Sequence, residues 1–145
     1  MKTIYIIFMI VLSGVIVASS ICAPQILASN EFLKGFVNHE ILGIMAVIMT
    51  ISIASIATIH IWFNELEQKH DQRVFGKARR EINQSAFVMI WLFVGQLALL
   101  IVRSSFLESA GIVSFLNGAS VLLLLASVIT LLDVLGTVKA LTPSD

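Results

Sequence analysis

From Gly43 to Phe63 the chain carries no Asp, Glu, Lys or Arg. This unbroken apolar run is the strongest constraint on what the chain can become. A bilayer core about 30 Å thick needs roughly 20 residues of helix rising ~1.5 Å each. Comparable runs stand at about 3–23, 86–106 and 111–137, and the run around Gly43 extends over 41–63. Of the 145 residues, 58% are hydrophobic and 12% are charged. Soluble domains carry about 25% charge, so too few polar groups are present to cover a water-exposed surface. The pattern predicts an all-α integral membrane four-helix bundle, with 1–145 as one transmembrane domain organised around the second run.

The segments between the runs refine this. Lys2, an apolar run and the small residues Ala18, Ser19 and Ser20 follow the order of a signal peptide. The run is long for that role, so 3–23 reads as a first membrane helix stopped by Pro24. Between Pro24 and Asn38 the chain is too short to span. Ser29-Asn30-Glu31 is a helix start, and Phe32, Leu33, Phe36 and Val37 share one face, which predicts one short interfacial helix. Residues 64–85 are rich in Glu, Gln, Lys and Arg, with Glu65/Lys69, Arg73/Lys77 and Lys77/Glu81 one turn apart. They predict a helical hairpin turning near Gly76. A tight turn around Glu108–Gly111 joins the third and fourth helices.

Lys and Arg set the expected orientation. Lys2, Lys69, Arg73, Lys77, Arg79, Arg80 and Lys139 fall on one side, and Lys34 and Arg103 on the other. The expectation is a multi-pass protein of a bacterial-type inner membrane. Both termini and the hairpin are cytoplasmic, and the interfacial helix is periplasmic.

Two helices carry patterned polar or small residues. Gly43, Ala46, Thr50, Ala54, Ala57 and Thr58 share a face of the second helix. Small residues let helix backbones approach closely in lipid. The face therefore reads as packing within the bundle, as a subunit interface, or as a pore lining. Asn117, Ser120, Ser127, Thr130 and Thr137 occupy one half of the fourth helix. Gln96 lies near the middle of the third, Asp133 near the inner end of the fourth, and Arg103 near the outer end of the third, where it snorkels or pairs with Glu108. Strongly polar groups at such depths are functional candidates. The candidate pore or helix-interface residues are thus Thr50, Ala54, Thr58, Gln96, Asn117, Ser120, Ser127, Thr130 and Asp133. Candidate contacts for a partner or lipid headgroups are Lys69, Arg73, Lys77, Arg79 and Arg80.

Several chemistries find no support. Cys22 is the single cysteine, which excludes an intrachain disulfide and a multi-cysteine metal cage. His39 and His60 lie about 32 Å apart along one helix, too far to ligate one haem within a subunit. No phosphate loop, HExxH or GxSxG pattern is present. The formal net charge is zero, which gives nucleic acid no basic footprint. The expectation is no enzyme and no cofactor. In architecture the chain resembles small four-helix membrane proteins, some transporters and channels among them. The expected function is a homo-oligomer forming or gating an ion or small-solute path, as an effector of membrane permeability. The alternative is a non-conducting anchor or accessory subunit whose hairpin at 64–85 docks a cytoplasmic protein.

Overall fold

The structure, a computed structural model, describes residues 2–70, 75–106 and 109–141. Six helices follow one another among them: α1 (Lys2–Cys22), α2 (Gln25–Ala28), α3 (Glu31–Phe36), α4 (His39–His70), α5 (Gly76–Ser105) and α6 (Ala110–Leu141). α4, α5 and α6 are each long and apolar enough to cross a bilayer, and α1 contributes a shorter apolar helix. The chain is a helical membrane protein with several passes. Arg73 and Glu108, singled out in the sequence, lie outside the described residues, as does the tail beyond Leu141.

Local chemistry sets the short elements. The last amide of the α1 ladder is that of Ala23, which donates to Ser19 O at 2.9 Å. Pro24 has no N–H to continue the ladder. Its φ of −58° instead makes it the N-cap of α2. Asn30 then leaves helical geometry, with ψ of 113°, and its side chain accepts the Leu33 N–H. That is an N-cap at α3, with Glu31 in the positive first turn.

The short helix expected from Ser29-Asn30-Glu31 forms as α3, and a further one precedes it. Two helices form, because Pro24 starts a turn of its own before Asn30 caps the next. The four apolar residues around α3 do not act together. Phe32 is 71% exposed and stacks on Phe36 with ring centroids 5.2 Å apart, whereas Val37 is fully buried. Val37 falls at the C-cap, with ψ of 64°, so it leaves the helical face that the spacing implied.

α4 and α5 form an antiparallel pair that continues beyond the apolar runs. α5 and α6 are also antiparallel neighbours, α4 and α6 run parallel, and α1 lies antiparallel on α6. α6 touches α1, α2, α4 and α5. The organising element is therefore α6 rather than the 43–63 run. Its short side chains let neighbours approach from several sides. Ser114 and Gly118 meet α1, and Asn117 meets α2. Val134 joins a core of Ile56, Ile59, Phe63 and Ile82 from α4 and α5.

Candidate functional site

On α5, Ile82, Met89, Gln96 and Arg103 recur every seven residues and so face one way. The two nearer the α4–α5 connection are apolar and the two farther from it are polar. Gln96 is 0% exposed, and neither its Nε2 nor its Oε1 has a partner among the described residues. On α6, Ser120 is equally buried and its hydroxyl is also unpartnered. Gly95 abuts Leu123, whose Cδ1 lies 3.6 Å from the position of an added Cβ. This antiparallel register puts Gln96 and Ser120 at one level of the bundle. One turn away, Asn117 donates from Nδ2 to Leu27 O at 2.8 Å, while its Oδ1 is buried and unpartnered. A carboxamide offers two donors and two acceptor lone pairs. Leaving such groups unmade in a core costs about 1–3 kcal/mol each.

Two other buried hydroxyls are satisfied on their own helices. Ser127 donates to Leu123 O at 2.9 Å, and Ser52 of α4 to Ile48 O at 2.8 Å. Arg103 is half-buried, and its expected partner Glu108 lies outside the described residues. Its Nη1 donates to Val37 O at 2.7 Å, which ties the end of α5 to the chain entering α4.

The small-residue face of α4 is turned outward. Gly43, Thr50, Ala54, Ala57 and Thr58 are exposed, and Ala46 is half-buried. The buried stripe is Ile41, Met45, Ile48, Ser52, Ile56, Ile59 and Phe63. Packing of the small face within the bundle is therefore corrected: the branched and thioether side chains fill the space between α4, α5 and α6 instead. The Thr50 and Thr58 hydroxyls donate to Ala46 O at 2.8 Å and Ala54 O at 3.0 Å, so neither needs a partner from another helix. The polar faces of α4 and α6 do not meet in one subunit. Thr50, Ala54 and Thr58 look out, while Asn117, Ser120 and Ser127 look in.

At the other end, α4 and α5 are joined by side chains. Arg79 donates from Nη2 to Asn64 Oδ1 at 2.8 Å and to Glu67 Oε2 at 2.9 Å. Its guanidinium carbon also sits 5.6 Å from the centre of the Phe63 ring, which stacks on Phe75 at 4.7 Å. Glu67 Oε1 accepts the Phe75 N–H at 3.2 Å. Arg79 thus serves the hairpin itself and is not available as a free contact, whereas Lys69, Lys77 and Arg80 are exposed. His60 lies 2.8 Å from Asn83 Oδ1 through Nε2, and His39 is exposed at the far end of the same helix.

Comparison with protein-family models, with curated proteins and with solved structures finds no match. The site is therefore read from its own geometry. Thr130 and Asp133 of α6 line a groove of about 730 Å³ against α5, together with Thr137, Glu81 and Ser85. The candidate residues consequently separate into an internal set around Gln96, an outward face on α4, and this groove.

Sequence reasoning passed over several participants. At Gly118 α1 comes so near α6 that an added Cβ would meet Ile16, and Ser20 meets Ser114, hydroxyl to hydroxyl, at 3.2 Å. The compact run Asn117-Gly118-Ala119-Ser120 was the available signal for a close crossing. Glu81 belongs to a charged segment that pattern alone reads as solvated, and nothing in its spacing ties it to α6.

Proposed function

We propose that the protein is a homo-oligomeric membrane protein that forms or gates a path for ions or small solutes. The observation that carries this reading is the buried, unpartnered carboxamide of Gln96 at the level of Ser120. A bundle that only anchors gains nothing from such a group and is destabilised by it. A bundle that passes polar species uses it to replace lost water contacts. The outward small-residue face of α4 supports a second copy as neighbour, since it allows close backbone approach in lipid. Closed symmetry would then complete the assembly. In this reading the membrane is a bacterial-type inner membrane, with both chain termini and the α4–α5 connection in the cytoplasm, following the Lys and Arg distribution.

The test is ion and solute flux in proteoliposomes, comparing the wild type with Gln96→Leu. Flux should fall in the variant, while its thermal stability in detergent rises as the unpaired amide is removed. A silent wild type under every voltage and pH, together with a monomer in native-like membranes, would overturn the proposal. So would a variant that conducts unchanged.

A second reading rests on the ordered Arg79–Glu67–Asn64 cluster. It makes the extended ends of α4 and α5 a firm platform on which Lys69, Lys77 and Arg80 stay exposed. An accessory subunit would dock a partner there. Charge reversal at Arg80 that removes a co-purifying partner and leaves flux untouched would favour it.

A further inference from the structure

The groove between α5 and α6 has an unbalanced hydrogen-bonding character. Three hydroxyls line it, and each spends its proton on its own helix. Ser85 donates to Glu81 O at 3.3 Å, Thr130 to Ala126 O at 2.8 Å, and Thr137 to Asp133 O at 3.0 Å. What these hydroxyls leave to the groove is lone pairs. Glu81 and Asp133 add two carboxylates, and neither makes an ion pair among the described residues. Gln84 is the one lining side chain with N–H groups. Ile82, Val88 and Ile129 supply apolar wall.

We infer that this groove is a binding site for an organic cation: a primary ammonium carried on an apolar body. The ammonium brings three N–H donors and a positive charge to a surface of acceptors and negative charge. The apolar body covers the aliphatic wall. A volume of about 730 Å³ suits a small organic molecule, for which pockets of ~300–1,000 Å³ are usual. An anion is disfavoured by both carboxylates, and a neutral alcohol forgoes the charge. The site stands whether or not the protein conducts.

The experiment is titration calorimetry on the full chain in phosphatidylcholine nanodiscs, with empty nanodiscs as blank. The probes are phenylbutylammonium, its neutral counterpart phenylbutanol and its anionic counterpart phenylbutyrate. Saturable binding of the ammonium is expected, about tenfold or more tighter than the alcohol, a difference that one charge-assisted contact readily supplies. The double variant Glu81→Gln, Asp133→Asn should abolish that preference. Both residues are exposed and the replacements keep their shape. Val88→Trp should block binding sterically while leaving both charges in place. Equal partitioning of the three probes would overturn the inference. So would ammonium binding that survives both the double variant and Val88→Trp.

Discussion

Replacing Gly118 by Ala tests how α1 is held. An ideal Cβ at Gly118 falls 2.2 Å from Ile16 Cγ2, with Ile16 Cβ and Cγ1 at 3.4 and 3.5 Å. Carbon atoms sit comfortably at about 3.5–4.0 Å, so Ile16 or α1 must retreat by well over an ångström. The Cγ2 methyl is attached directly to a branched Cβ, whose rotamer a helix largely dictates. It cannot swing aside as the end of a Met or Lys would. Overpacking of this kind costs about 1–3 kcal/mol. Against it stands the intrinsic helix gain of Gly→Ala, about 0.8–1.0 kcal/mol in water. Gly136 on the same helix supplies the control, because an added Cβ there meets nothing within 4 Å. Gly136→Ala should be neutral or stabilising, and Gly118→Ala should fall below it by about 1–3 kcal/mol. The measurement is reversible unfolding in mixed SDS and mild-detergent micelles. Cross-linking of cysteines placed at Ser20 and Ser114, in a Cys22→Ser background, reports α1 docking in the same samples. Truncating the neighbour as well, with Ile16→Ala, should make the two costs less than additive. Equal effects at positions 118 and 136, with strict additivity at 16 and 118, would refute the close-approach argument.

Arg79→Ala should destabilise the α4–α5 pairing by about 1–3 kcal/mol, since it leaves Glu67 and Asn64 without their shared donor; Arg80→Ala, exposed, should stay within about 0.5 kcal/mol of wild type in the same unfolding assay. Asn117→Leu removes the bond to Leu27 O and should raise amide exchange over residues 23–30, at a cost of roughly 0.6–1.7 kcal/mol. An exchange pattern identical to wild type would mean that α2 is held by other contacts. Asn30→Ala should loosen α3 by about 1 kcal/mol through loss of its cap, read as faster exchange at Leu33. Gln96→Leu should raise overall stability by about 1–2 kcal/mol, because unpaired buried groups are removed.

The features legible in the chain were those set by short-range chemistry. The length of each apolar run is enough to say that helices cross a membrane, because spanning is decided residue by residue through transfer from water. Pro24 and Asn30 could be read as boundaries because a missing N–H and a capping carboxamide act within one turn. Gln96 stood out by polarity and by its place in the helix, while its burial between helices is a fact of the fold. Its unpartnered state and its level with Ser120 were beyond reach, since both depend on the register of α5 against α6.

Tertiary structure decided which face of each helix looks inward. In water, hydrophobic burial would have chosen the Ile and Met stripe of α4 outright. In lipid both faces are equally at home, and the choice falls to shape and packing. That is why Thr50, Ala54 and Thr58 offered three readings, and why only the fold excludes packing within the bundle. The same reasoning covers α6, which becomes the hub because Gly118 lets Ile16 in, and Arg79, whose Glu67 and Asn64 partners are found only once α4 and α5 fold together. The sequence by itself determined where the long helices form and that they belong in a membrane; only the tertiary structure determined which surfaces meet, because the solvent no longer chooses them.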